Sequence, residues 1–291
     1  MRRARGARPG LTLVELMIVL LVTAVLGTAI VRTMITSNAF ISRIERGREA
    51  RGTSRAAMNL LTTELRMVAA ESGVEEAEDD HIVVRVPFRL GLACATTTGS
   101  PGAVTAAFFP SDTTISTLAL GYVGFATRTS TGIYDFVDGS GTPAAGTVGN
   151  CTGTPANITI VPGMQVLRLA GVTVPAAIPP GTPVFMWRRV RYEFDDSDLV
   201  PGRRGLWRHV LDEDGDAVLS EELAAPFDAT SRFRFFILNE RASSDTVPTN
   251  LADLRGIEFR LVGQSTRTAQ GRTTTERAPV TMSVFFLNRL D

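Results

Sequence analysis

The sequence predicts an α+β chain: one long N-terminal helix, its first half suited to a membrane, packed on a mainly antiparallel β-sheet domain with a loop-rich insertion. Three observations carry this. Residues 11–31 are an apolar run whose only charge is Glu15. No proline lies between Pro9 and Pro87 to break a helix. Beyond Gly73, runs of β-branched and aromatic residues alternate with turn residues, and no helix–strand alternation appears.

The 291 residues are 44% hydrophobic, which suits one or two domains with an ample core. Thirty basic residues balance thirty acidic ones. The basic excess of a nucleic-acid binder is therefore missing, and no nucleic-acid partner is expected. Every basic residue is arginine, which reads as compositional bias rather than mechanism. Arg2, Arg3, Arg5 and Arg8 crowd the start, and the rest of the chain is mildly acidic.

The basic leader, residues 1–10, ends in Pro9-Gly10. Residues 11–31 follow; as a helix rising 1.5 Å per residue they span ~30 Å, the depth of a bilayer core. A secretory signal peptide has a shorter apolar region, with its cleavage site downstream. Here the small residue lies upstream. A plain anchor explains the length but not Glu15, since a charge at mid-membrane costs ~2.5–3.5 kcal/mol and somewhat less near an end.

Residues 32–72 continue the helix. The stretch 32–53 is polar and Arg-rich, with Gly47 and Gly52 as weak points. Met58, Leu61, Leu65 and Val68 then share one face, which predicts packing on a globular domain. Gly73 is the stop signal. In the globular part, 73–291, strands are expected at 81–88, 103–109, 113–120, 157–161, 184–194, 205–211, 232–238, 255–263 and 280–288. The stretch 96–157 is rich in Gly, Ser, Thr and Ala and reads as an irregular insertion on the surface.

Residues that could carry chemistry are few. His81 and His209 each sit in a strand context, where a lone histidine reads as structural. "DEDGD", 212–216, lacks the glycine and glutamate of an EF-hand loop, having Ala217 and Leu223 there, and reads as a hairpin turn. Trp187 and Trp207, on neighbouring predicted strands, read as packing residues. No nucleophile elbow or phosphate loop is present, so neither an enzyme, a cofactor nor a metal site is expected. Cys94 and Cys151 are the only cysteines. Outside the cytoplasm they could form a disulfide worth up to ~4 kcal/mol; otherwise they are two small core residues.

The leader ending in Gly10, followed by Leu11, Thr12, Leu13, Val14, Glu15 and "LMIVLL", resembles the class III signal of type IV pilins and type II secretion pseudopilins. The resemblance implies cleavage between Gly10 and Leu11 by a prepilin peptidase on the cytoplasmic face, and N-methylation of Leu11. Cleavage would leave a positive amine in an apolar setting, and Glu15 offers a countercharge at similar depth. Each charge alone is costly in lipid, and pairing across subunits offsets much of that cost. Glu15 is thus expected to act in assembly.

The missing proline at the membrane exit favours a minor pilin or pseudopilin over a bulk fibre subunit. "RAAMNLLTTELRMVAAESG" and the later run from "VFMWRRVRYEFDD" to "VTMSVFFLNRL" resemble PilW-type minor pilins and pseudopilin J. The resemblance implies a pilin-like fold anchored once in the inner membrane, with the domain outside the cytoplasm before it joins a pilus or pseudopilus. The expected partners are membrane lipid, other minor pilins and major pilins, and the expected role is to prime or cap a type IV pilus. The alternatives are pseudopilin J of a type II secretion system and a membrane-anchored extracytoplasmic binding module.

Overall fold

The computed structural model describes residues 12–69, 72–110, 122–128, 134–174, 176–238 and 240–286. A 53-residue helix, α1 (Leu13–Leu65), leads into the strands. Those of the first half are β1 (Val74–Ala77), β2 (His81–Thr97), β3 (Gly102–Phe108), β4 (Gly124–Arg128), β5 (Tyr134–Asp138) and β6 (Ala144–Ala145). A short helix, α2 (Gly149–Thr152), precedes β7 (Gln165–Gly171), β8 (Pro183–Asp196), β9 (Arg204–Leu211), β10 (Ala217–Phe227) and β11 (Arg232–Ile237). The last two are β12 (Leu254–Thr268) and β13 (Thr275–Phe285).

All strand pairs are antiparallel, and the main path runs β11-β12-β10-β9-β8-β2-β3-β7-β6. β13 extends the sheet beyond β12, and β4 pairs with β8 and β5. The prolines fit this layout. Pro87 adjoins a register shift between β2 and β8, where its missing N–H is tolerated. Pro279 lies in β13, which pairs with β12 alone among the described residues.

The apolar residues form two main clusters. One packs Leu61, Leu65 and Val68 against Ile82, Val84, Tyr192, Phe227, Phe233 and Phe259. The other joins Val104, Phe108, Phe125, Leu169, Val184 and Met186 on the far part of the sheet. The long strands β2 and β8 contribute to both.

Several expectations are corrected. α1 ends at Leu65, not near residue 72: Met67 and Val68 donate to the carbonyls of Glu64 and Leu65, closing a tight i,i+3 turn. Gly47 and Gly52 do not break it. Part of the stretch 96–157 is not surface decoration. It supplies β3, which lies between β2 and β7 with every residue buried. Its alanines and glycines are what such close packing requires. No strand forms at 157–161, whereas β7 follows at 165–171. β10 was not expected from its glutamates, which occupy its exposed or half-buried positions. The segment 113–120 lies outside the described residues.

Candidate assembly interface

The first half of α1 touches no other element among the described residues. From Leu13 to Ala39 all but one of its residues are exposed in the isolated chain. An 18-residue window has a mean hydropathy of 2.5 with none of it buried, so the helix is long and apolar enough to cross a membrane. Met34, Ile35, Phe40, Ile41 and Ile44 prolong the exposed apolar surface past residue 31.

Glu15 occupies the first turn of this helix. Its Oε2 accepts from the backbone N–H of Thr12 at 3.0 Å and from Thr12 Oγ1 at 3.1 Å. In return the Glu15 N–H donates to Thr12 Oγ1 at 3.2 Å. This is a capping box, and it satisfies two orphan donors of the helix start. Thr12-Leu13-Val14-Glu15 carries that signature openly, so Glu15 has a local structural role besides any role between subunits. Gly10 and Leu11 lie outside the described residues.

The other end of α1 is fixed to the sheet. Ala50, Ser54, Ala57, Leu61 and Leu65 form its buried face. Small residues lead because the backbone of β12 comes very close: a Cβ on Gly263 would collide with the Ala50 carbonyl and with Ser54 Oγ. Ser54 Oγ accepts from the Gly263 N–H at 2.8 Å and donates to the Ala278 carbonyl at 3.1 Å. One turn earlier, Glu49 Oε1 accepts from Thr266 N–H and Oγ1, at 2.9 and 2.6 Å. Burial alone would raise the Glu49 pKa, but these bonds and the Arg46 charge outweigh it and hold the carboxyl below its ordinary value. Asp228 behaves alike. Burial opposes its ionisation, yet bonds from Thr230 and Gln264 and the charge of Arg277 lower its pKa.

Nearer the helix end, Glu64 reaches three partners on the sheet. Tyr192 donates its hydroxyl to Glu64 Oε2, Arg208 Nε donates at 3.1 Å, and Arg188 Nη2 lies 3.8 Å from Oε1. Burial and then the Glu64 carboxylate push the Tyr192 phenol well above its ordinary range. Burial favours loss of the Arg208 proton, but Glu64 more than compensates and raises its pKa. The arrangement locks helix to sheet.

Cys94 and Cys151 are joined in a disulfide, with their Cα atoms 4.6 Å apart. Trp187 is fully buried, with the Arg85 guanidinium 4.9 Å over its ring; Trp207 is half-buried and stacks on His209. His209 stands between Ser220 Oγ, 2.8 Å from Nδ1, and Glu193 Oε1, 3.0 Å from Nε2. The order resembles nucleophile, base and orienting acid. However, the His209 Nε2 contact lacks hydrogen-bond geometry. Ser220 and Glu221 also pair with β9, which commits backbone that an oxyanion hole would need. The arrangement cross-links strands.

In the 212–216 turn, Asp212 Oδ1 accepts from the amides of Asp214 and Asp216, at 3.0 and 2.9 Å. Glu78, Asp80 and His81 bring three ligand atoms within 4.8 Å of one another at the β1–β2 turn, where the two carboxylates are exposed. His81 Nδ1 is already 2.9 Å from Asp80 Oδ1, so the cluster is self-satisfied.

No family model matches the chain, and no curated protein or solved structure matches it either. What stands is a helix able to cross a membrane, fixed by its far end to a large antiparallel sheet.

Proposed function

We propose that the chain is a minor pilin of the PilW type, held in the inner membrane by the first half of α1 until it joins a type IV pilus, whose assembly it primes or caps. The observation that carries the reading is Glu15, a carboxylate one turn inside an otherwise uncharged apolar helix, directly after the leader that ends in Gly10. The capping box refines this role. Glu15 spends Oε2 on its own helix start, and Oε1 makes no hydrogen bond to any described residue. That oxygen is the one available to the Leu11 amine of a neighbouring subunit. The capping bonds also lower the cost of carrying Glu15 in the membrane before assembly.

The capping and pairing roles separate by substitution. Glu15→Gln keeps an acceptor for the capping box but removes the charge; Thr12→Ala does the reverse. With a prepilin peptidase present, the wild-type chain should lose ten residues and carry a methylated Leu11 on mass spectrometry. Glu15→Gln should insert normally yet enter filaments poorly, whereas Thr12→Ala should enter nearly as wild type. Wild-type incorporation of Glu15→Gln would leave capping as the whole role of this residue. A chain that retains its leader would overturn the filament reading.

A further inference from the structure

Beyond the membrane-suited segment, α1 carries arginines that nothing in the described chain neutralises. Arg48, Arg51 and Arg55, spaced three and four apart, share one helical face, and Arg66 returns to it eleven residues later. All four are exposed, and none makes an ion pair with a described residue. Arg43 and Arg46, by contrast, are paired with Glu276 and Glu49. The stripe covers ~27 Å of helix. Like charges at these spacings destabilise a helix, by ~0.2–0.5 kcal/mol per pair. Of the nearby carboxylates, Glu49 and Glu64 are turned toward the sheet and engaged there, and Glu45, exposed three residues before Arg48, makes no ion pair with a described residue.

The compensating charge lies on another part of the same molecule, whose total charge is zero. The β9–β10 turn is "DEDGD", and Glu213, Asp214 and Asp216 are exposed with no cationic side chain paired to them among the described residues. Arg189 reaches this turn but binds only the carbonyls of Asp212 and Glu213, at 3.1 and 3.2 Å. Along the domain the turn lies beyond Arg48, Arg51 and Arg55. β9 contacts successively later parts of the N-terminal segment: Arg208 reaches Glu64, and Leu211 pairs with Arg189, which is bonded to Glu75. The acidic turn therefore lies at the end of the domain that α1 approaches last.

We propose that the arginine stripe of α1 is a docking surface for a second copy of this chain, whose acidic 212–216 turn seats on Arg48, Arg51 and Arg55. Because the two surfaces differ, the contact is heterologous. This rests on the filament reading for its biological setting.

The test uses the full chain in detergent micelles, with self-association followed by sedimentation. One variant reverses the stripe (Arg51→Glu with Arg55→Glu) and another reverses the turn (Glu213→Arg with Asp214→Arg). The wild type should associate, and about 0.5 M salt should weaken it because exposed charges are screened. Each variant alone should associate at least ~10-fold more weakly. An equimolar mixture of the two should recover the association, since the acidic stripe of one meets the basic turn of the other. A monomeric wild type, or a mixture that recovers nothing, overturns the proposal. Association lost on reversing the stripe but kept on reversing the turn puts a different surface opposite the arginines and also overturns it. None of these readouts involves leader cleavage or Glu15, so failure here is distinguishable from failure of the filament reading.

Discussion

Gly263 and Ser54 show how much can rest on one point of contact. The glycine allows the helix backbone to meet β12, and the serine supplies the hydrogen bonds that buried backbone groups need there. Gly263→Ala forces a methyl group into the Ala50 carbonyl and should cost about 1–3 kcal/mol, as overpacking does. Ser54→Ala leaves the Gly263 N–H unsatisfied and should cost a similar ~1–3 kcal/mol. Urea unfolding of each variant checks both figures. A midpoint unchanged by Gly263→Ala would mean that the helix and β12 are not in close contact in solution.

At the scale of the element, α1 divides into two parts with different surroundings. Its first part presents apolar residues on every side, which nothing in the described chain covers. Its last turns bury one narrow face and hold it with the carboxylates Glu49 and Glu64. Glu49 and Asp228, which flank the same region of β12, both have pKa values below the ordinary carboxylate range. A group whose folded pKa is depressed contributes stability above its unfolded pKa, and the contribution vanishes as pH falls through the folded value. Docking of α1 should therefore be insensitive to pH above about 5 and weaken below about 4. Hydrogen exchange at the amides of residues 50–65 measures this directly. Glu49→Gln should flatten part of the acid dependence, and a profile unchanged by that substitution would remove Glu49 from the account.

Over the whole molecule, one sheet bears two main hydrophobic clusters, tied by long strands rather than by a linker. The disulfide belongs to a separate small cluster with Ala107 on the far part of the sheet: Cys94 lies in β2, and Cys151, in α2, is 57 residues away. In the chain-entropy view a loop of that length is worth about 4 kcal/mol. Cys94→Ser with Cys151→Ser should lower stability by up to this amount. The loss of exchange protection should be greatest in β3 and β7 and smallest where α1 meets β12. Uniform loss across both regions would show that the sheet unfolds as a single unit.

How much of this was readable in advance depended on the range of the interaction. The membrane-suited helix, Glu15, the β-rich domain and the Leu61–Leu65 face follow from local hydrophobicity and periodicity, which the sequence displays directly. The capping box is also legible in Thr12-Leu13-Val14-Glu15, whose threonine and glutamate stand at the required spacing. The docking of Ala50 and Ser54 on Gly263 was not legible, since small residues carry no hydrophobic signal and their role depends on a strand more than two hundred residues later. Nor was the burial of β3: a strand is expected at 103–109, but only the fold places β2 and β7 on either side of it and buries every residue. By itself the sequence determined the long N-terminal helix, its apolar first part and most of the strands, because these depend on neighbouring residues. Only the tertiary structure decided which face of α1 meets the sheet and which arginines go unpaired, because both depend on distant strands brought together in the fold.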